Sequence, residues 1–365
     1  MQLALNSNFY DASSKNIVNW INISNEMLNI NAWNNKKDLS KYNFVDLFSG
    51  AGGLSCGLLM AGFQPIAAVE IMETAVASYK HNFIEKQHFD ELVEIQDIRK
   101  QETKNRLYDK VKNKKIHLIA GGFPCQGFSI AGLRKIDDER NCLYREMLEI
   151  VKHIQPDFVL MENVPGLRSM LNGQVEEKII QDYADIGYKI NVAILNAADY
   201  GVAQIRKRII FIGNKIGAKN YHPSAIFKEE EYKTVAQELA RFSNIKENKE
   251  INHIFTKHSS KMLEKIKNTK PGDSVYDNYS DSWKRVYADK PSSTIKENHG
   301  GVNIHPIEDR VMTPRELAAL QSFPDDFIFK GAKKWQLVQI GNAVPPLLGK
   351  AIGLAILKSI KEMEK

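Results

Sequence analysis

From residue 43 onward the chain alternates short apolar runs with stretches of helical spacing, and this alternation limits the possible folds more than any other feature. The runs are NFVDLF (43–48), QPIAAVEI (64–71), LVEIQDI (92–98), IHLIAGG (116–122) and DFVLMENV (157–164). Between them, segments 54–62, 73–83, 101–113 and 143–154 read as helices. Strands that alternate with helices specify βαβ units and a mostly parallel sheet. KINVAILN (189–196) and RIIFIGN (208–214) complete it. The predicted class is α/β, a doubly wound, Rossmann-like sheet. In such a sheet the first and fourth strands are neighbours where the strand order reverses, and their C-terminal loops open onto one crevice.

The pattern also divides the chain. Residues 1–42 form an N-terminal extension, Asn- and Ser-rich with scattered apolar positions, expected to pack on a domain surface. The alternating part, 43–214, is the catalytic domain. Residues 215–325 hold charge-rich stretches such as KEEEYK and NIKENKEIN and have the irregularity of a second, smaller domain. Residues 326–365 return to the first domain, ending in a helix whose apolar positions Leu347, Leu348, Ala351, Ile352, Ala355 and Ile356 suit docking on a core.

No apolar stretch approaches the roughly 20 residues of a membrane span, and the N-terminus lacks the pattern of a secretory signal. The chain has 3 cysteines, Cys56, Cys125 and Cys142, with no CxxC spacing, so neither a disulfide framework nor a thiolate metal site is expected. A reducing cytoplasm fits such a chain. Cys56 and Cys142 read as packing residues. A net charge of +6 is compatible with a polyanionic partner without requiring one.

Cys125 stands apart. It follows a proline at the exit of the fourth run, in GGFPCQGFS (121–129), where loops carry chemistry. Facing it across the crevice is the first strand's turn, DLFSGAGGLSCGL (46–58), whose glycines let backbone amides approach a ligand. This turn lacks the GxGxxG spacing of dinucleotide folds. Glu70 and Asp97 end the second and third runs and suit ribose hydroxyls and an adenine amino group. So acidic a pocket disfavours phosphates, and S-adenosylmethionine fits it better than a nicotinamide dinucleotide. Glu162 ends the fifth run on the rim that carries Cys125. A thiol beside a carboxylic acid can add to an electrophile that must be protonated. In QIRKR (204–208), Arg206 and Arg208 are two apart on an expected strand, which predicts that both point to one face, towards an anion or a carbonyl oxygen.

With DLFSGAGG, GFPCQGFS, ENV, QIRKR, RELAALQSFPDDF and QIGNAVPP in this order, the chain resembles the cytosine-C5 DNA methyltransferases of bacterial restriction–modification systems from about residue 43 to its end. The resemblance implies an S-adenosylmethionine fold with a small inserted target-recognition domain. It implies that Cys125 attacks carbon 6 of cytosine, that Glu162 protonates or hydrogen-bonds ring nitrogen 3, that Arg208 holds the carbonyl oxygen, and that Arg206 supports the rim. Asn163 and Pro124 would orient their neighbours. Around the cofactor it places Phe48, Gly50, Gly52, Gly53 and Leu54 in the turn, Glu70 on the ribose, and Asp97 with Ile98 on the adenine. Pro124, Leu143, Asn342 and Ala343 would close the pocket. Ile71 stands where relatives carry an aromatic over the adenine face.

The implied substrate is double-stranded DNA with the target cytosine flipped out, since carbon 6 is unreachable inside a duplex. Gln126, Ser129, Arg134, Lys135 and Arg140, in the loop after Cys125, would contact it. His253, His258, Tyr276, Trp283, Lys284 and Arg285 are candidates for reading base edges. A monomer is expected, with any cognate endonuclease a separate protein. The nearest rival is a tRNA cytosine-C5 methyltransferase on the same fold, but that branch tends to carry a Cys-Phe-Thr stretch in its second domain, and no cysteine follows residue 142. A catalytically silent DNA-binding relative would not need Cys125, Glu162 and the arginines. A nicotinamide oxidoreductase would leave them unused.

Overall fold

A computed structural model describes residues 18–30, 33, 42–89, 97–124, 142–276, 283–296 and 303–365. Its strands are β1 (Asn19–Ile21), β2 (Asn43–Leu47), β3 (Gln64–Val69), β4 (Leu118–Gly121), β5 (Phe158–Asn163), β6 (Lys189–Asn196), β7 (Lys207–Asn214) and β8 (Tyr221–Pro223). The helices over the sheet are α1 (Gly53–Ala61), α2 (Glu73–Tyr79), α3 (Gln101–Val111), α4 (Cys142–Ile154) and α5 (Gln174–Asp185). Beyond the sheet come α6 (Val235–Leu239), α7 (Ser260–Asn268), α8 (Pro314–Leu320), α9 (Lys333–Asn342) and α10 (Pro346–Met363).

The main sheet has the order β3-β2-β4-β5-β7-β6. β2 pairs in parallel with both β3 and β4, and β4 pairs in parallel with β5, so the first and fourth runs are neighbours. β7 runs antiparallel between β5 and β6. The reversal follows from the connection: β6 and β7 are joined through a tight 3-10 turn at Ala197–Tyr200, too short for the crossover that parallel neighbours require. Of the run at 92–98, residues 92–96 lie outside the described residues, and Asp97 and Ile98 precede α3 in a turn.

Side chains alternate across the strands with a period of two. Phe44, Leu118, Phe158 and Ile210 face one apolar layer, closed by Leu54, Leu58, Leu348, Ile352 and Ile356 of α1 and α10. Val45, Ile119, Val159 and Phe211 face the other, closed by Leu107, Met147, Ile150, Ile179 and Tyr183 of α3, α4 and α5. The α1–α10 crossing depends on glycine: a Cβ built on Gly57 would lie 2.4 Å from Pro346 O. The stretch Lys333–Met363 is long and apolar enough to cross a membrane by composition, contrary to the expectation from sequence; 89% of its apolar window is buried, as in a core helix.

Residues 18–30 pack against the sheet and α10. β1 pairs with β8, Ile23 and Leu28 join the first apolar layer, and Lys350 Nζ donates to Asn29 O at 3.0 Å. A third apolar cluster gathers Trp33, Tyr79, Phe83, Phe323, Phe327 and Phe329 around α8 and α9. A small fourth cluster, Ile266, Ile304 and Val311, lies within residues 215–325.

Candidate active site

The glycine turn is built from backbone that most side chains would disfavour. After β2 the chain passes through Phe48, Gly50 and Gly52 at φ of +60°, +55° and +99°, and α1 begins at Gly53. Left-handed φ suits glycine, so two of these positions are relaxed and Phe48 is held by packing against the second apolar layer. Glu70 ties the turn to α2. One carboxylate oxygen accepts from Gly50 N at 2.8 Å, and the other accepts from Ile71 N and Met72 N at 2.9 and 2.8 Å. Gly53 permits a second close approach, because a Cβ there would meet Val344 O at 2.4 Å and Ala343 Cβ at 3.1 Å. The Ala343–Val344 stretch that follows α9 therefore sits directly against the start of α1. Asn342 is exposed, whereas Leu54 points into the first apolar layer and Leu143 and Ile98 pack into the second.

These residues fit a nucleoside. A Cβ on Gly50 would meet nothing within 4 Å, so that side of the turn is open. The buried Ser49 hydroxyl has no hydrogen-bond partner among the described residues. Ile71 is 64% exposed beside the Glu70 carboxylate, an apolar surface without a protein neighbour over most of its area. Asp97 is held by Arg99, whose Nη2 donates to Oδ2 at 2.6 Å, and this bond keeps its carboxyl below the usual range.

Beneath the turn lies a polar chain that the motifs alone did not reveal. Ser55 Oγ donates to Asp46 Oδ2 at 2.5 Å and lies 2.8 Å from the Tyr79 hydroxyl. Burial raises the Asp46 carboxyl to about 7, against the opposing hydrogen bond from Ser55. The signal was available: a carboxylate inside the apolar run NFVDLF must find a buried partner or stay neutral.

Across the crevice, two consecutive glycines bring strand ends together. A Cβ on Gly121 would lie 2.8 Å from Leu47 O, and one on Gly122 would lie 2.9 Å from Glu162 Oε2. Asn163 Nδ2 donates to Phe123 O at 2.9 Å, fixing the chain just before the exposed Pro124. Cys125, Gln126, Ser129, Arg134, Lys135 and Arg140 lie outside the described residues. Glu162 and Arg208 form an ion pair, Nε to Oε1 at 2.7 Å, with both side chains about nine-tenths buried (12% and 11% exposed). A planar guanidinium on a carboxylate fixes the orientation of both groups.

Arg206 departs from expectation. It precedes β7, is 1% exposed, and donates to Ile295 O at 3.0 Å and Gly341 O at 2.9 Å. Burial lowers its guanidinium to about 9, and the nearby Arg208 acts in the same direction. It therefore does not share a ligand-facing surface with Arg208. Two candidates for base reading are likewise interior: His253 is bonded to Thr313, and Arg285 donates to the carbonyls of Thr269, Ile266, His305 and Glu308. His258, Tyr276, Trp283 and Lys284 retain partial exposure. Cys56 is fully buried, as a packing residue should be.

Comparison with known proteins points the same way. The family model for C-5 cytosine-specific DNA methylase matches residues 42–358. The type II methyltransferase M1.HphI of Haemophilus parahaemolyticus is 41% identical over 345 residues, spanning 88% of this chain and 90% of that protein. The type II methyltransferase M.DdeI of Desulfomicrobium norvegicum is 33% identical over 369 residues, spanning 85% and 87%. Among solved structures, a prophage-encoded E. coli protein assigned as a DNA modification methyltransferase superposes with a TM-score of 0.71 at 28% identity, covering 88% of this chain and 99% of that one. With a glycine turn open on one side, a buried acid–guanidinium pair across the crevice, and these relatives along nearly its whole length, the chain belongs to the C-5 cytosine-specific DNA methylase family.

Proposed function

We propose that this enzyme methylates carbon 5 of a flipped-out cytosine within a short sequence of double-stranded DNA, as the protective half of a type II restriction–modification system. The restriction–modification role is supported by the names of the relatives above. The observation that carries the chemical reading is the Glu162–Arg208 pair, 2.7 Å apart on adjacent strands, beside the strand exit that leads to Cys125.

In this reading the Cys125 thiolate adds to carbon 6. Glu162 donates a hydrogen bond or proton to ring nitrogen 3, taking up the negative charge that addition pushes onto the ring. Arg208 holds the carbonyl oxygen while its bond to Glu162 keeps that acid in place. Arg206 braces the rim from within. Once carbon 5 is methylated, loss of its proton to a base and expulsion of the Cys125 thiolate restore the ring. The methyl donor is S-adenosylmethionine, held by the turn at Phe48, Gly50, Gly52 and Gly53, by Glu70, and by Asp97 with Ile98. Ile71 covers the adenine, and Pro124, Leu143, Asn342 and Ala343 close the pocket; Leu54 contributes backbone.

Residues 43–214 serve as the catalytic domain and 326–365 complete it. Residues 215–325 serve as target-recognition domain, and Gln126, Ser129, Arg134, Lys135 and Arg140 contact the DNA from the loop after the nucleophile. The enzyme acts as a monomer in the cytoplasm, and any cognate endonuclease is a separate chain.

The test is transfer of a tritiated methyl group to DNA. Wild type should label duplex DNA at cytosine, and Cys125→Ser should lower the rate by roughly 10³-fold or more, as expected for loss of a covalent nucleophile. Transfer by Cys125→Ser at the wild-type rate would overturn the mechanism, and label entering tRNA but not duplex DNA would reassign the substrate.

A further inference from the structure

The region matched by the family model begins at residue 42, yet the floor of the glycine turn is backed by a side chain from upstream of it. Trp33 is 2% exposed, and its ring meets Phe83 edge-on at 5.4 Å and Phe327 at 5.8 Å. Phe83 stacks on Tyr79 at 4.2 Å, and those two rings form the surface under Gly52. A Cβ built on Gly52 would lie 2.5 Å from Phe83 Cε2 and 3.0 Å from Tyr79 Cδ2, so the turn rests directly on them. The Tyr79 hydroxyl continues through Ser55 to Asp46 on β2, which connects the stack to both ends of the turn.

Two further features show that Trp33 is placed and not incidental. Phe83 lies in a π-helical turn, Lys80–Glu85, a wider winding that recurs at functional sites. The Trp33 indole nitrogen is buried with no hydrogen-bond partner among the described residues, so the ring itself makes apolar contacts there, while the Trp33 carbonyl accepts from Gln87 Nε2 at 3.4 Å. The preceding segment is anchored independently, through the β1–β8 pairing, Leu28 in the first apolar layer and the Lys350–Asn29 bond.

We infer that Trp33 is a positioning residue for the cofactor turn: wedged against Phe83 and Phe327, it holds the Tyr79–Phe83 stack beneath Gly52 and so keeps the turn in its binding geometry. The inference rests on the reading of that turn as the S-adenosylmethionine site. Without the indole, Phe83 can relax into the space left behind. The turn then occupies its binding geometry for a smaller fraction of the time, and affinity falls by that fraction.

The experiment compares wild type with Trp33→Ala, Trp33→Phe and Leu28→Ala in the full chain. S-adenosylmethionine affinity is measured by calorimetry, kcat and KM with bulk duplex DNA, and thermal stability by melting. Trp33→Ala should weaken S-adenosylmethionine binding about tenfold, with kcat at saturating cofactor and KM for DNA within about twofold of wild type. Trp33→Phe should restore most of the affinity. Leu28→Ala, in a different apolar layer, should lower the melting temperature without moving that affinity. Wild-type affinity in Trp33→Ala, or an equal loss in Leu28→Ala, would overturn the inference. If Trp33→Ala does not fold, Trp33→Leu and Trp33→Phe make the same comparison. Wild-type protein that binds no S-adenosylmethionine would instead overturn the reading of the turn itself.

Discussion

Glu162 and Arg208 are each nearly buried, and neither would be stable there alone. Arg208→Ala should therefore act twice, leaving Glu162 without its partner and removing the donor proposed above for the cytosine carbonyl. Its single-turnover rate at saturating DNA and cofactor should fall about 10²–10³-fold, with Arg208→Lys intermediate because an ammonium cannot reproduce the fork. The sequence exposed the presence of two arginines in QIRKR but not their division of labour. The partners of Arg206, the carbonyls of Ile295 and Gly341, are 89 and 135 residues away along the chain, beyond any local pattern. A charged residue within an apolar run is more legible, and Asp46 is the example. Its carboxyl titrates near 7 in the fold and near 3.8 when unfolded, so its contribution to stability is full below pH 3.8 and is lost as pH rises through 7. Asp46→Asn should remove that loss. Denaturant unfolding at pH 5 and pH 8 should show a smaller pH dependence in the variant, by roughly 1–4 kcal/mol.

At the scale of elements, periodicity carried most of the information. The runs at 43–48, 64–71, 116–122 and 157–164 became β2 to β5 in the expected neighbour relations, because a strand buried on both faces has to be apolar throughout. The C-terminal helix docked as its spacing indicated. What periodicity could not give was direction, since an apolar run reads alike whether its neighbour is parallel or antiparallel; the short β6–β7 connection was the available cue. Helix contact distance was also hidden. Gly57 faces the first turn of α10 so closely that a methyl group would overlap the Pro346 carbonyl. Gly57→Ala should destabilise the protein by about 1–3 kcal/mol, measured by denaturant midpoint, through overpacking at a backbone that cannot rotate away.

At the scale of the molecule, residues 215–325 rejoin the main sheet at the segment that leads into β7. Ile205 N donates to Ser292 O at 2.8 Å and Ser292 N to Ala203 O at 2.9 Å, while Arg206 reaches across to Ile295 and Gly341. Arg206 thus joins three distant stretches of chain by its guanidinium alone. Arg206→Ala should lower stability by several kcal/mol, since it strips buried carbonyls of their donors, and Arg206→Lys should recover little. Thermal melting of the two variants checks both statements. None of this joinery was legible in the composition of 215–325, which has weak periodicity because much of it is held by side chains bonding to backbone, as at Arg285.

The reversed direction of β7 has a consequence of its own. Enzymes on parallel sheets draw their side chains from strand exits, whereas here one member of the key pair enters at a strand's beginning. A β7 running the other way would carry Arg208 towards the opposite end of the strand, roughly 17 Å off for a shift of five residues. A slip of one residue would turn it to the wrong face and offer Lys207 or Ile209 instead. With the roles proposed above for Glu162 and Arg208, methyl transfer is then a readout of strand alignment: a molecule whose last hairpin has docked out of step would keep its helices and its apolar layers and yet be silent.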